Sequence, residues 1–107
     1  MDFSAIRNDI KGLNFDSLRT DCDNFFEGVL IKDELAKLNA QLTSFLGEPV
    51  YPSKNRLPRK VKETVDGFGG ISSGQTLYYK DLGSDSIFAM LWPWQDGVRT
   101  TLKIIQK

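Results

Sequence analysis

The sequence predicts an α+β domain in which N-terminal helices pack on a C-terminal antiparallel meander of three to four strands. Apolar residues repeat at helical spacing between residues 34 and 46, and three extended runs separated by turn residues follow residue 74. The middle run, residues 87–92, is apolar on both faces. Because a half-exposed strand alternates apolar and polar residues, we expect this run in the centre of the sheet with a cover on each face.

The composition indicates one domain over residues 1–107, with a mainly helical part at 1–47, a Pro/Gly-rich basic connector at 48–74 and the sheet at 75–106. Lys and Arg number 14, and so do Asp and Glu. The formal net charge is therefore zero, and no overall field favours nucleic acid or an anionic membrane. The chain has no apolar window of membrane-spanning length, no signal-peptide pattern and a single cysteine, which together predict a cytoplasmic protein without membrane attachment.

The N-terminal third contains one clear helix and one ambiguous stretch. Three apolar residues share one helical face near the start of the chain: Phe3, Ile6 and Ile10. They predict a helix over residues 2–11. Residues 14–24 keep helical spacing and predict a further short helix, whereas residues 25–31 fit either its end or a short strand. The choice between helix and strand over 16–31 therefore stays open.

The best-defined element is a helix over residues 34–46. Its apolar stripe recurs at intervals of three and four and comprises Leu35, Leu38, Leu42, Phe45 and Leu46. Asp33 suits the N-cap, Gly47 suits the left-handed position after the last turn, and Pro49 prevents continuation. We expect this stripe to lie on the sheet.

The second half begins with a short helix and continues as strands. Pro58 suits a first helical turn, which predicts a helix over 58–65. The strands are expected at residues 75–81, 86–92 and 98–105, with an Asp-Gly turn between the last two. In the third strand, Arg99 and Lys103 would protect an exposed edge.

The chain contains no histidine, which excludes Ser-His-Asp and Cys-His catalysis and histidine-ligated metals. Cys22 has acidic neighbours and no group to activate it, so we expect it to be a thiol in the core. No spacing of carboxylates or lysines indicates a catalytic pair. We therefore predict a protein that is not an enzyme and holds no cofactor or metal.

A basic segment and a glycine-rich loop form the first candidate site. Five cations within residues 54–62 are anion-binding candidates: Lys54, Arg56, Arg59, Lys60 and Lys62. The loop at 67–74 nearly matches the phosphate-binding pattern G-x-x-x-x-G-K-[ST], but Gln75 stands at the lysine position and a strand follows it. A glycine-rich start to a strand is the simpler interpretation of the loop, and most basic runs are solvated surface.

The Trp92-Pro93-Trp94 segment is the second candidate site. Both tryptophans lie on one side of the sheet if the strand continues through Pro93, and tryptophan is enriched at interface hot spots. The alternative is that both plug one end of the core. We favour the core for Trp92 and the surface for Trp94.

The second face of the sheet extends this candidate site. Phe88, Met90 and Trp92 share one face of the middle strand, and the long helix covers only the other face. An uncovered apolar face would bind a protein partner, most simply a second copy in a two-fold dimer. We therefore predict a small interaction module whose partner-binding candidates are Phe88, Met90, Trp92, Pro93 and Trp94. The less favoured alternative is a nucleic-acid or phosphate-ligand binder that uses residues 54–62 and the loop at 67–74.

Overall fold

The computed structural model describes residues 3–52 and 57–107, and these form three α-helices and five strands. The helices are α1 (Phe3–Ile10), α2 (Leu35–Leu46) and α3 (Arg59–Asp66). The strands are β1 (Phe15–Asp21), β2 (Phe25–Ile31), β3 (Thr76–Asp81), β4 (Ser86–Pro93) and β5 (Arg99–Gln106). None of the helices in this part of the chain is long and apolar enough to cross a membrane.

The strands form one antiparallel sheet in the order β1-β2-β5-β4-β3. The predicted α+β class is confirmed, but the sheet has five strands instead of three or four. The N-terminal hairpin β1–β2 adds the other two by pairing with β5, which places β5 at the centre. The prediction that Arg99 and Lys103 protect an exposed edge is therefore wrong, although β4 does lie between two neighbours.

Residues 14–24 are not helical, because β1 occupies most of them. Its pairing with β2 contains two register shifts, between Phe15 and Ser17 and between Leu18 and Thr20. Such bulges break the two-residue alternation that identifies a strand, so the apolar residues fall at a spacing that resembles a helix. Cys22 lies in the hairpin turn and is exposed, which corrects its prediction as a core thiol.

Helices α1 and α2 pack against the first face of the sheet. The buried residues of this first core include Ile6 and Ile10 of α1, Leu38, Leu42 and Leu46 of α2, and Ile87, Ala89 and Leu91 of β4. Gly47, with φ 81°, ends α2 as predicted, and its N–H donates to the Thr43 carbonyl at 2.9 Å. The predicted Asp33 cap is wrong, since a 3-10 turn over Lys32–Glu34 leads into the helix without a side-chain cap.

The second face is covered by the chain itself. Val61 and Val65 of α3 pack with Leu77, Phe88, Met90 and Ile105 in a second core. Phe68 and Ile71, from the loop after α3, complete it together with Tyr51. The expectation of an uncovered apolar face is therefore wrong, because the short helix and the loop together cover what neither could cover alone.

The leucines of α2 should contribute strongly to stability. Leu38→Ala and Leu42→Ala each remove a fully buried side chain and should lower the free energy of unfolding by about 2–5 kcal/mol. Ser44→Ala, at an exposed position of the same helix, should change it by less than about 0.5 kcal/mol. Urea denaturation gives all three values. Unchanged midpoints for both leucine variants would contradict the packing of α2 on the sheet.

Candidate functional site

The two tryptophans of the Trp92-Pro93-Trp94 segment lie on the second face of the sheet. Strand β4 continues through Pro93, which pairs with Thr100, while Trp92 pairs with Thr101. The Trp94 indole N–H donates to Thr101 Oγ1 at 2.8 Å, which fixes the ring over the same face. Trp94 remains 38% exposed.

Two arginines flank the Trp94 ring. The guanidinium carbons of Arg19 and Arg99 lie 5.8 and 5.6 Å from the ring centroid, within the range of cation–π attraction. Val98, 44% exposed, lies in the adjoining turn. We call Arg19, Trp94, Val98 and Arg99 the Trp94 site. It combines one exposed indole, just after the end of β4, with two guanidinium groups, one from β1 and one from β5.

Each arginine of the Trp94 site has a carboxylate partner. Arg19 lies 3.4 Å from Glu27, and Arg99 lies 3.1 Å from Asp16 and 2.9 Å from Asp96. The two carboxylates beside it raise the pKa of Arg99, with the hydrogen bond to Asp16 as the larger cause. The site is therefore close to electrically neutral.

Asp96 holds the turn that carries the site. Its Oδ1 accepts the backbone N–H groups of Val98 and Arg99 at 2.8 and 3.0 Å. The hydrogen bond from the Arg99 N–H is the largest cause that lowers the pKa of the Asp96 carboxyl, followed by the bond from the Val98 N–H. The Arg99 guanidinium lowers this pKa further. Gly97, with φ 70°, completes the predicted Asp-Gly turn. The position of Trp94 is therefore set by the turn as well as by Thr101.

Trp92 joins the glycine-rich loop to the sheet. The Lys103 ammonium lies 4.0 Å from its ring centroid and donates to the Phe68 carbonyl at 3.3 Å. Gly69 approaches the ring so closely that a Cβ there would lie 2.5 Å from Trp92 Cη2. The Trp92 indole N–H is buried and has no hydrogen-bond partner among the described residues. Trp92 therefore serves packing more than surface contact.

The other partner-binding candidates divide between the interior and the surface. Phe88 and Met90 are buried in the second core, so they are not accessible to a partner in this structure. Pro93 is exposed beside Trp94.

The anion-binding candidates are not brought together. Lys54 and Arg56 lie outside the described residues. Arg59 pairs with Glu63 at 3.0 Å and Lys62 pairs with Asp66 at 3.0 Å, both within α3. Lys60 instead lines a cavity between α3 and the strands. The basic run is therefore partly neutralised by acidic residues that follow it one helical turn later.

The glycine-rich loop folds on itself. Four N–H groups in and beside the loop donate within it or back to α3: Gly69 to Asp66 O, Gly70 to Val65 O, Ser72 to Gln75 Oε1, and Gln75 to Ser72 O. A phosphate-binding loop needs converging N–H groups that are free to meet the anion. This arrangement gives little support to the loop as a phosphate site.

Two residues of this region, Arg19 and Lys103, were missed as contacts of the tryptophans. Arg19 could be placed beside Trp94 only once β1 was known to be a strand, and the bulges hid that strand. Lys103 alternates onto the same face as Thr101, so the position of β5 at the centre of the sheet was the missing information.

No family model, characterised protein or solved structure matches this chain. The class that the structure defines is an α+β chain whose five-stranded antiparallel sheet is covered on both faces and carries an exposed Trp–Arg site at one end.

The contact between the loop and Trp92 can be tested with two glycine variants. Gly69 and Gly74 both have positive φ, 111° and 84°, but no atom lies within 4 Å of a Cβ at Gly74. Gly74→Ala should cost about 1–2 kcal/mol of stability from backbone strain alone. Gly69→Ala should cost about 1–3 kcal/mol more because it also displaces Trp92. Equal losses in chemical denaturation would show that the loop does not pack on the indole.

The turn should loosen in acid through Asp96. A carboxyl whose folded pKa is depressed stabilises the protein above its unfolded pKa, and the contribution is lost as pH falls through the folded value. We expect the Asp96 carboxyl to titrate below the ordinary 3.8 in an NMR titration, and the Trp94 indole resonance to shift with it. Asp96→Asn keeps an acceptor oxygen without a titrating group, so this shift should vanish. Titration of Asp96 at or above 3.8 would contradict the geometry of the turn.

Proposed function

We propose that this chain is a non-catalytic interaction module that binds a protein partner through the Trp94 site. The observation that supports this proposal best is the exposed indole, held by Thr101 and flanked by Arg19 and Arg99. Tryptophan and arginine are the residues most enriched in interface hot spots. Because the ring is fixed before binding, little conformational entropy is lost when a partner covers it.

The charges around Trp94 favour an apolar contact as the source of affinity. Arg19 and Arg99 are already paired with carboxylates, so the site exerts little long-range attraction on a charged partner. The partner expected from this chemistry is a protein surface with an apolar pocket for the indole and carbonyl oxygens near the guanidinium edges. Association should accordingly depend only weakly on salt.

A heterologous partner is favoured over a second copy. The predicted homodimer required an uncovered apolar second face of the sheet, and α3 with the following loop covers that face. Self-association through the Trp94 site is an outcome that the experiment below distinguishes.

The non-catalytic role and the cytoplasmic location belong to the same proposal. The absence of histidine supports the first. The single cysteine, Cys22, is exposed and unbridged, which supports a reducing compartment. The alternative of a nucleic-acid binder is less supported, because Arg59 and Lys62 are paired within α3 and several N–H groups of the glycine-rich loop already donate within the protein.

Site-directed cross-linking tests the proposed surface. A photo-reactive residue at Val98 should capture one protein in the cells that produce this chain, and the same residue at the exposed Ser44 of α2 should not. The captured protein is then purified and titrated with the wild type, Trp94→Ala and Leu18→Ala. Trp94→Ala should weaken binding by about 30-fold or more, as hot spots do.

Leu18→Ala is the matched control. Leu18 is 55% exposed and lies over Gly28 on the other face of the sheet, so its truncation should leave the affinity within about threefold. Trp94→Phe and thermal unfolding separate loss of contact from loss of fold. Capture that is equal at both positions, or an affinity that Trp94→Ala leaves unchanged, would overturn the proposal. A mass near twice 12.1 kDa that falls in Trp94→Ala would identify a second copy as the partner.

A further inference from the structure

The sequence contains two Asp-Gly pairs, Asp66–Gly67 at the end of α3 and Asp96–Gly97 in the turn between β4 and β5. An aspartate that precedes glycine can rearrange without any other reactant. The backbone nitrogen of the glycine attacks the side-chain carboxyl carbon, and the hydrogen of the N–H leaves with the carboxyl hydroxyl as water. Glycine has no side chain to hinder this attack. The five-membered succinimide ring then takes up water and opens mostly to isoaspartate.

The first pair, Asp66–Gly67, is held by the structure on both sides. The Gly67 N–H donates to two carbonyls of the last helical turn, at 3.3 and 3.2 Å, and its φ of −68° continues the helix. Val65, before the pair, is 1% exposed, and Phe68, after it, packs against the second core. The Asp66 carboxylate lies 3.0 Å from Lys62 Nζ. Release of the Gly67 nitrogen would therefore disturb both the end of α3 and the second core.

The second pair, Asp96–Gly97, lies at the surface. The residues on either side of it, Gln95 and Val98, are exposed. Asp96 Oδ1 accepts the Val98 N–H at 2.8 Å, so the carboxyl group bends toward the backbone just beyond the glycine. The Gly97 N–H donates to the Trp94 carbonyl at 3.2 Å. Because this turn can open without exposing a core residue, its opening should cost less free energy than release of the end of α3.

Arg99 opposes the rearrangement of Asp96. Its Nη1 donates to Asp96 Oδ2 at 2.9 Å, and its backbone N–H donates to Asp96 Oδ1 at 3.0 Å. Asp16 accepts from Arg99 Nε at 3.1 Å and so holds the guanidinium in place. These contacts fix the carboxyl group and favour its ionised form, whose oxygen is a poor leaving group. The lowered pKa of Asp96, caused chiefly by the bond from the Arg99 N–H, acts in the same direction.

We propose that Asp96–Gly97 is the site at which this chain converts to isoaspartate, and that the Arg99 guanidinium slows the conversion in the folded protein. In the product the main chain gains a methylene and the free carboxylate stands on the α-carbon. Val98 and Arg99 then lose the acceptor that their N–H groups share. The Trp94 N–H donates to the Arg99 carbonyl at 2.8 Å across this turn. The conversion should therefore move the indole, whichever partner the Trp94 site binds.

Incubation of the whole chain at neutral pH tests this site, with digestion and chromatographic separation of the aspartate and isoaspartate peptides. In denaturant both pairs should convert at similar rates, because glycine follows each aspartate. In the folded protein Asp96 should convert about tenfold faster than Asp66, since its turn opens at a lower cost. Arg99→Gln should raise the rate at Asp96 by about three- to fivefold, the range set by an exposed ion pair. The Trp94 indole N–H resonance should divide into two as isoaspartate accumulates.

Lys62→Gln is the matched control, because it removes the ammonium group that lies 3.0 Å from the other aspartate, Asp66. Asp66 should remain slow in this variant, since the end of the helix and not the ion pair protects it. Equal rates at Asp66 and Asp96 in the folded chain, or an unchanged rate at Asp96 in Arg99→Gln, would overturn the proposal. Acceleration at both sites in Arg99→Gln would indicate general unfolding and would also overturn it. An indole resonance of Trp94 that stays single would disprove the effect on the turn.

Discussion

The pairing of β2 with β5 is the constraint on which the rest of the structure depends. It joins residues 25–31 to residues 99–105 in an unbroken antiparallel register. Without it, the N-terminal hairpin and the C-terminal strands would be two small sheets, each with a long edge to protect. With it, β5 becomes a central strand whose Leu102 and Ile104 enter the first core and whose Ile105 enters the second.

Because β5 is central, its residues on the second face of the sheet set which end of that face is apolar and which end is polar. Ile105 lies at the end covered by α3, whereas Lys103 and Thr101 follow toward the other end. Trp92 closes the second core at this transition, between the loop at Gly69 and the Lys103 ammonium. Beyond Trp92 the face carries Thr101, Arg99 and the Trp94 indole, which no helix covers in the described chain. The exposed tryptophan is thus a consequence of where the second cover ends.

The sequence predicted those elements whose periodicity is regular. The helices at 2–11, 34–46 and 58–65 and the three C-terminal strands were all placed to within a few residues. The N-terminal hairpin was not, because two register shifts in β1 disturb its alternation. The sequence analysis underestimated how much of the second face the chain covers. The two valines of α3 alone form a short apolar stripe, and Phe68 and Ile71 of the loop, which have no helical periodicity, add the rest of the cover. In the candidate site, Trp94 could be singled out from its neighbours in sequence, but Arg19 and Thr101 reach it only through pairing across the sheet.

The balance of charge shows why the two candidate surfaces differ in chemistry. Most cations in the described chain pair with a carboxylate, including both arginines beside Trp94. The exposed indole of Trp94 is therefore surrounded by charges that nearly cancel. At the other end of β4, Lys60 and Lys107 line a cavity together with Asp81, and neither lysine pairs with an acidic side chain among the described residues. Burial of the middle of β4 in both cores keeps its interior residues from direct contact with ligands. The residues of this strand that reach the surface therefore lie at its ends, and the proposed protein contact uses the end beside Trp94.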